Sequence, residues 1–135
     1  MIVVDANVVL YLLTPGSHSE LAWAAAERDD DWRVPTLWRS EVRNALLGIV
    51  RAGQLDAADA IASMNRAERL LIGSSHGVDS AHVLELAMSS GCSAYDCEYV
   101  SLARTLDVPL LTSDSEILAA FPERPVDLRT YAAGR

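Results

Sequence analysis

Ile2-Val3-Val4-Asp5-Ala6-Asn7-Val8-Val9-Leu10 is the stretch that decides the fold. Three β-branched residues in a row read as a short strand, and Ala6 to Leu13 reads as a helix stopped by Thr14-Pro15-Gly16. A strand passes through an acid into a helix. The same order returns near the other end, where Pro109-Leu110-Leu111-Thr112 is a buried-type strand and Asp114 opens a brief helix to Ala120.

Between these two units the spacing predicts helices over Ser19 to Arg28, from Thr36 until Gly53 ends it, over Leu55 to Leu70, from Asp79 to Ser90 with Gly91 as its stop, and from Ser93 to Leu106. The helix from Thr36 carries Trp38, Val42, Ala45, Leu46 and Ile49 toward a core, and the next carries Ile61, Met64 and Leu71 on an apolar side. Short strands are expected around Arg33-Val34-Pro35, at Leu70 to Gly73, and at the edge over Val126-Asp127-Leu128. Asp29-Asp30-Asp31 reads as a solvated charge run, and Ala132 to Arg135 as a loose tail. The alternation predicts an α/β domain with a mainly parallel central sheet.

Composition narrows the function. The chain has 135 residues, 50% hydrophobic and 22% charged, enough for one real core and too apolar for a disordered chain. A single domain over residues 1–135 is expected. No apolar run approaches the roughly 20 residues of a membrane span, and no basic, apolar leader precedes the first strand, so a cytoplasmic protein without membrane contact is expected. Cys92 and Cys97 are too few for a disulfide scaffold, and with His76 and His82 they lack the close-pair spacing of a zinc site.

Nineteen acidic residues against eleven basic ones give a formal charge of −8, which argues against broad electrostatic attraction to nucleic acid. Contact with phosphate must be local or metal-mediated. All eleven basic residues are arginine, so mechanisms that need a lysine, Walker-type phosphate loops among them, are closed.

Four acids stand where the topology can bring them together: Asp5 after the first strand, Glu41 inside a helix, Asp96 in a helix's first turn, and Asp114 after Thr112. Three lie at strand-to-helix transitions, which collect at the carboxyl edge of a parallel sheet. Singly, each has a plainer account. Asp5 and Asp114 can be helix N-caps, Ser93 to Asp96 has capping-box spacing, and Glu41 can be a surface glutamate on the margin of an apolar side.

As a group they need a cation. Two carboxylates about 4 Å apart repel by roughly 4 kcal/mol at an effective dielectric of 20, whereas a helix N-terminus returns about 0.3 to 1 kcal/mol. Oxygen ligands without convergent His or Cys suit Mg²⁺ or Mn²⁺, and such a site is built for phosphodiesters. Neutralising four acids would take the formal charge from −8 to −4. Arg39 and Arg43, which flank Glu41, are then candidates to touch phosphate, with pairing to a neighbouring acid as the plainer account.

Asp5-Ala-Asn7-Val-Val-Leu10, Ser40-Glu41-Val-Arg-Asn44-Ala-Leu46, Ala94-Tyr95-Asp96-Cys97-Glu98-Tyr99-Val-Ser-Leu-Ala103 and Pro109-Leu-Leu-Thr112-Ser-Asp114, taken as an ordered set, resemble a PIN domain, and most closely the VapC-type toxin ribonucleases. The resemblance spans nearly the whole chain. It implies a three-layer α/β/α sandwich with the quartet Asp5, Glu41, Asp96 and Asp114 holding one or two Mg²⁺ or Mn²⁺ ions for endonucleolytic cleavage of RNA. Asn7 and Thr112 match positions that help orient the acids, with turn or cap hydrogen bonding as the alternative; Glu116 falls near the motif, where it either supplements the site or favours the start of its helix. The resemblance also implies a cognate VapB-like antitoxin that folds along the toxin and blocks the acidic site, and a homodimer.

Other acidic pockets fit less well. Phosphoacceptor signalling domains need a lysine, and a dehalogenase-like phosphatase wants a second Asp at position 7, where Asn stands. The remaining rivals are a noncatalytic PIN-like module that binds RNA or a partner without cutting, and a PIN nuclease directed at DNA or flap structures. The intact acid quartet argues against the first, and the small size against the second.

Overall fold

The computed structural model describes residues 1–134. The sequence begins with β1 (Ile2–Val4), whose three side chains are all buried because neighbours flank it on both sides, as a continuous apolar run requires. Its partners are β2 (Trp32–Pro35) on one side and β4 (Leu110–Thr112) on the other; β3 (Ser75–His76) and β5 (Pro125–Asp127) close the edges. Every pairing is parallel, in the order β3-β2-β1-β4-β5.

Among the described residues, eight helices connect and cover these strands: α1 (Ala6–Leu13), α2 (Ser19–Arg28), α3 (Trp38–Arg51), α4 (Ala57–Leu70), α5 (Ser80–Ser90), α6 (Ala94–Leu106), α7 (Ser115–Ala120) and α8 (Leu128–Ala132). They complete the three-layer α/β/α arrangement. α6 lies across β1, β2 and β4 with α5 beside it, while α1 packs with α2, α3 and α4, and α8 packs on α2. Trp38, Val42 and Leu46 turn the buried side of α3 inward, and Tyr99, Val100 and Ala103 do the same for α6. Fully burying each large aliphatic or aromatic side chain contributes about 1.5–3 kcal/mol, so this continuous core carries most of the stability.

Local chemistry sets the helix starts. Asp56, Asp79 and Ser93 accept from the backbone N–H three residues on, opening α4, α5 and α6, and Asp127 accepts from Arg129 and Thr130 to open α8. Cys92 and Cys97 occupy the positions just before the Ser93 cap and in the following turn, both buried, the placement of a hydrophobic staple. Together they fix the angle at which the chain enters α6.

The structure corrects several expectations. Leu70 to Gly73 is not a strand: Leu70 ends α4, Leu71 continues its hydrogen bonding to Ala67, and Gly73 turns the chain at φ +75°. Leu70 and Ile72 are 60% and 81% exposed, so the apolar run does not mark a buried strand there. The strand comes afterwards as Ser75–His76, paired to Val34 and Pro35. α3 begins at Trp38 rather than Thr36, and α4 at Ala57 rather than Leu55, where Asp56 caps it. The last strand is Pro125–Asp127, because the cap formed by Asp127 turns Leu128 into a helix. Asp30 is exposed, but Asp29 and Asp31 are half-buried, and Asp31 pairs with Arg33 at 2.7 Å. Ala132 ends α8; Arg135 lies outside the described residues.

Candidate active site

Register builds the site. Val4 pairs with Leu111 across β1 and β4, so the next residues, Asp5 and Thr112, leave the two strands side by side. The Asp5 N–H donates to the Leu111 carbonyl at 3.0 Å, and the Thr112 hydroxyl donates to Asp5 Oδ2 at 2.8 Å. Asp5 Oδ1 accepts from the Ala6 N–H at 2.8 Å, the cap of α1. The same Thr112 oxygen accepts from the Asp114 N–H at 3.0 Å, and Asp114 Oδ1 accepts from Glu116 and Ile117 to cap α7. One hydroxyl therefore bonds to the Asp5 side chain and the Asp114 backbone together.

The other two acids come from helices. Glu41 lies in the first turn of α3, and Tyr99, on α6, donates its phenol to Glu41 Oε1 at 2.7 Å. Asp96 lies in the first turn of α6, held there by the Ser93 cap at 3.0 Å. All four carboxylates thus sit at helix N-termini, where the backbone dipoles favour negative charge.

Their charges still press on one another. Asp5 is 6% exposed, and burial pushes its carboxyl up to about 6; the Thr112 and Ala6 donors pull it down, and the charges of Glu41 and Asp96 raise it further. Glu41 is raised by burial against the pull of the Tyr99 phenol, with Asp96 adding to the rise. Asp96 is raised by burial and then by the charges of Asp114 and Glu116. The phenol of Tyr99 is pushed up by burial and by its bond to Glu41. These shifts link Asp5, Glu41, Asp96 and Asp114 into one electrostatic group.

Among the described residues no three His, Cys, Asp or Glu side chains stand close enough round one point to hold an ion as they are placed. The donor chemistry nonetheless fits Mg²⁺ or Mn²⁺. Glu41 Oε2, both Asp96 carboxylate oxygens and Asp114 Oδ2 accept no hydrogen bond from the described residues, and the set consists of hard oxygens alone. Ions of this class keep several waters and need few direct protein ligands, so widely held carboxylates suit them.

The remaining expected residues fall elsewhere. Asn7 is exposed on the first turn of α1 and has no hydrogen bond to the acids. Glu116 is exposed in the first turn of α7, where its backbone completes the cap and its charge acts on Asp96. Arg39 and Arg43 are exposed on α3 and approach Glu68 of α4 at 3.8 and 3.6 Å. Two residues near the site were not singled out from the sequence. Tyr99 is one; Glu98, raised by burial and by the charge of Glu41, is the other. The signal for Tyr99 lay in the buried side of α6, since a phenol placed in a core needs a polar partner.

The PIN domain family model matches residues 2–122. Among relatives, Ribonuclease VapC1 of Mycobacterium tuberculosis is 30% identical over 94% of this chain and 95% of its own length. Ribonuclease VapC9 of the same organism is 35% identical over 84% and 86%. Ribonuclease VapC3 of Pyrobaculum aerophilum is 29% identical over 90% and 95%. In structure, PAE2754 from P. aerophilum superposes with a TM-score of 0.78 over 98% of this chain and 94% of its own, at 24% identity. FitAcB from Neisseria gonorrhoeae gives 0.74 over 96% and 99%, at 17% identity. With a matching family model over most of its length and VapC relatives at 30% identity and above, the chain belongs to the PIN domain family.

Proposed function

We propose that residues 1–135 form one domain that is a Mg²⁺/Mn²⁺-dependent endoribonuclease, the toxin component of a VapBC-type pair, working in the cytoplasm. The observation that carries this is the group of carboxylates at helix starts beside buried Asp5, fixed by strand register and capping, in which Asp5, Glu41 and Asp96 are raised by burial and by neighbouring negative charge. The VapC relatives, named as ribonucleases, support RNA as the substrate.

Asp5, Glu41, Asp96 and Asp114 are the residues that would hold one or two ions. When bound, such ions supply an activated water and stabilise charge on the leaving oxygen. The chain's own work is placement. Thr112 and the Ala6 N–H fix both oxygens of Asp5, so this buried carboxylate cannot rotate away. Thr112 and the α7 cap set Asp114, the α6 cap sets Asp96, and Tyr99 holds one oxygen of Glu41. Arg39 and Arg43, on the same helix as Glu41, supply positive charge for the RNA backbone after leaving Glu68. Asn7 and Glu116 are auxiliary candidates at the two helix starts.

A cognate antitoxin has a surface to use. Leu46, Leu47 and Val50 of α3 with Ala60, Ile61 and Met64 of α4 line an apolar groove of about 350 Å³, and Ile61 is 64% exposed on it. An amphipathic segment with basic ends fits both that groove and a chain of charge −8. A homodimer is part of the same reading. No described helix is long and apolar enough to cross a membrane.

The test is cleavage of a structured RNA mixture by wild type and Asp96→Asn, with Mg²⁺ or Mn²⁺ and then with chelator. Metal-dependent cleavage lost in a folded variant is expected. No cleavage by folded, metal-supplied wild type, or equal cleavage by the variant, overturns the reading.

A further inference from the structure

We infer that Tyr99 is a positioning residue for cation binding, acting only through Glu41: its phenol holds Oε1 so that Oε2 is presented to the ion. This rests on the nuclease reading and extends it to a residue outside the acid quartet.

Tyr99 is 0% exposed, and among the described residues its phenol oxygen makes one hydrogen bond, to Glu41 Oε1 at 2.7 Å. The two residues lie 58 positions apart, on α3 and α6. Glu41 needs such a partner more than Asp5 and Asp114 do. Backbone N–H groups fix the side chains of Asp5 and Asp114, but among the described residues no backbone donor reaches Glu41, whose side chain is also the longest of the four. The nearby arginines do not hold it, since Arg39 and Arg43 approach Glu68 instead. Glu41 is only half-buried, and the charges of Asp96 and Glu98 act along with it, so repulsion favours swinging its carboxylate out to solvent. The phenol is the described side chain that opposes this.

The arrangement divides the labour of one carboxylate. One oxygen is tied to the core, and the other accepts nothing from the described residues and remains for a cation. Partners of this kind orient ligands and commonly change metal affinity or activity by about 10–100-fold. Tyr99 touches neither substrate nor ion in this account.

The test compares wild type, Tyr99→Phe, Glu41→Ala and the double variant by Mn²⁺ calorimetry, RNA cleavage and urea unfolding. Tyr99→Phe is expected to bind Mn²⁺ about 10-fold more weakly and to lose kcat with little change in KM for RNA. In the Glu41→Ala background the same change should have no further effect on Mn²⁺ binding. A second measurement leaves Tyr99 intact: Mg²⁺ should perturb the tyrosine ultraviolet difference spectrum of wild type, and not that of Glu41→Ala. A folded Tyr99→Phe with wild-type Mn²⁺ affinity, even if less stable, overturns the inference alone, as does an equal spectral response in Glu41→Ala. A wild type that neither binds Mn²⁺ nor cleaves RNA overturns the nuclease reading and this inference together.

Discussion

Thr112 and Asp5 are 107 residues apart in sequence and joined by a 2.8 Å hydrogen bond in which the hydroxyl donates to a buried carboxylate. The parallel register of β1 and β4 makes this contact unavoidable once Val4 faces Leu111. A hydrogen bond to a charged group contributes about 1.5–3 kcal/mol. Thr112→Val keeps the side-chain shape and removes the hydroxyl, so urea unfolding at pH 8 should show a loss in that range. Thr112→Ser keeps the donor and should lose less, about 1 kcal/mol for a missing methyl. Equal losses would mean that packing, and not the bond, is what Thr112 contributes.

Asp5 predicts a pH dependence. Its carboxyl is raised from 3.8 to about 6, so the folded chain holds this proton more tightly than the unfolded chain does. Stability from this group is therefore greatest below about pH 4 and falls as pH rises through 4 to 6, by about 3 kcal/mol for a shift of this size. In chelator, the unfolding free energy of wild type minus that of Asp5→Asn should drop over that window and level off above it. A difference that rises with pH, or stays flat, would show that the Thr112 and Ala6 hydrogen bonds outweigh burial.

Much of this arrangement was legible before the structure. β-branched Ile2-Val3-Val4 followed by Asp5, and Leu110-Leu111-Thr112 followed by Asp114, gave parallel strands with acids at their carboxyl ends, because strand type and helix capping are both local signals. Leu70 to Gly73 misled for the opposite reason. Its exposure is set by where α4 ends, which composition does not report. The link from Tyr99 to Glu41 was hidden as well: it joins two helices, and neither residue's neighbours in sequence record how α3 and α6 are placed. Strand runs and caps can be read from sequence, but strand register and contacts between helices require the packing.

Cations should reverse the sign of the acids' contribution. Asp5, Glu41 and Asp96 are all raised, so an ion that favours their charged forms binds the folded chain in preference to the unfolded one. At pH 8 and a Mg²⁺ concentration about 100 times the dissociation constant, wild type should gain about 2.7 kcal/mol. Asp96→Asn should gain much less at the same concentration while unfolding normally in chelator. Thermal melts with Mg²⁺ and with an equal ionic strength of Na⁺ separate this from general screening.

Glu68 gives a prediction about RNA rather than stability. It is the shared partner of Arg39 and Arg43, at 3.8 and 3.6 Å, and all three side chains are substantially exposed. Pairs of this kind are worth about 0–1 kcal/mol, so Glu68→Gln should leave the melting temperature nearly unchanged. It should, however, free two guanidinium groups beside Glu41, and each added phosphate contact on single-stranded RNA steepens the slope of log affinity against log salt by about 0.7. In an Asp96→Asn background, which prevents cleavage, Glu68→Gln should bind RNA more tightly at low salt and with a steeper salt dependence. Arg39→Gln with Arg43→Gln should do the reverse. If Glu68→Gln changes neither affinity nor slope, the two arginines do not meet the phosphate backbone, and their pairing with Glu68 is only a surface feature of the α3–α4 hairpin.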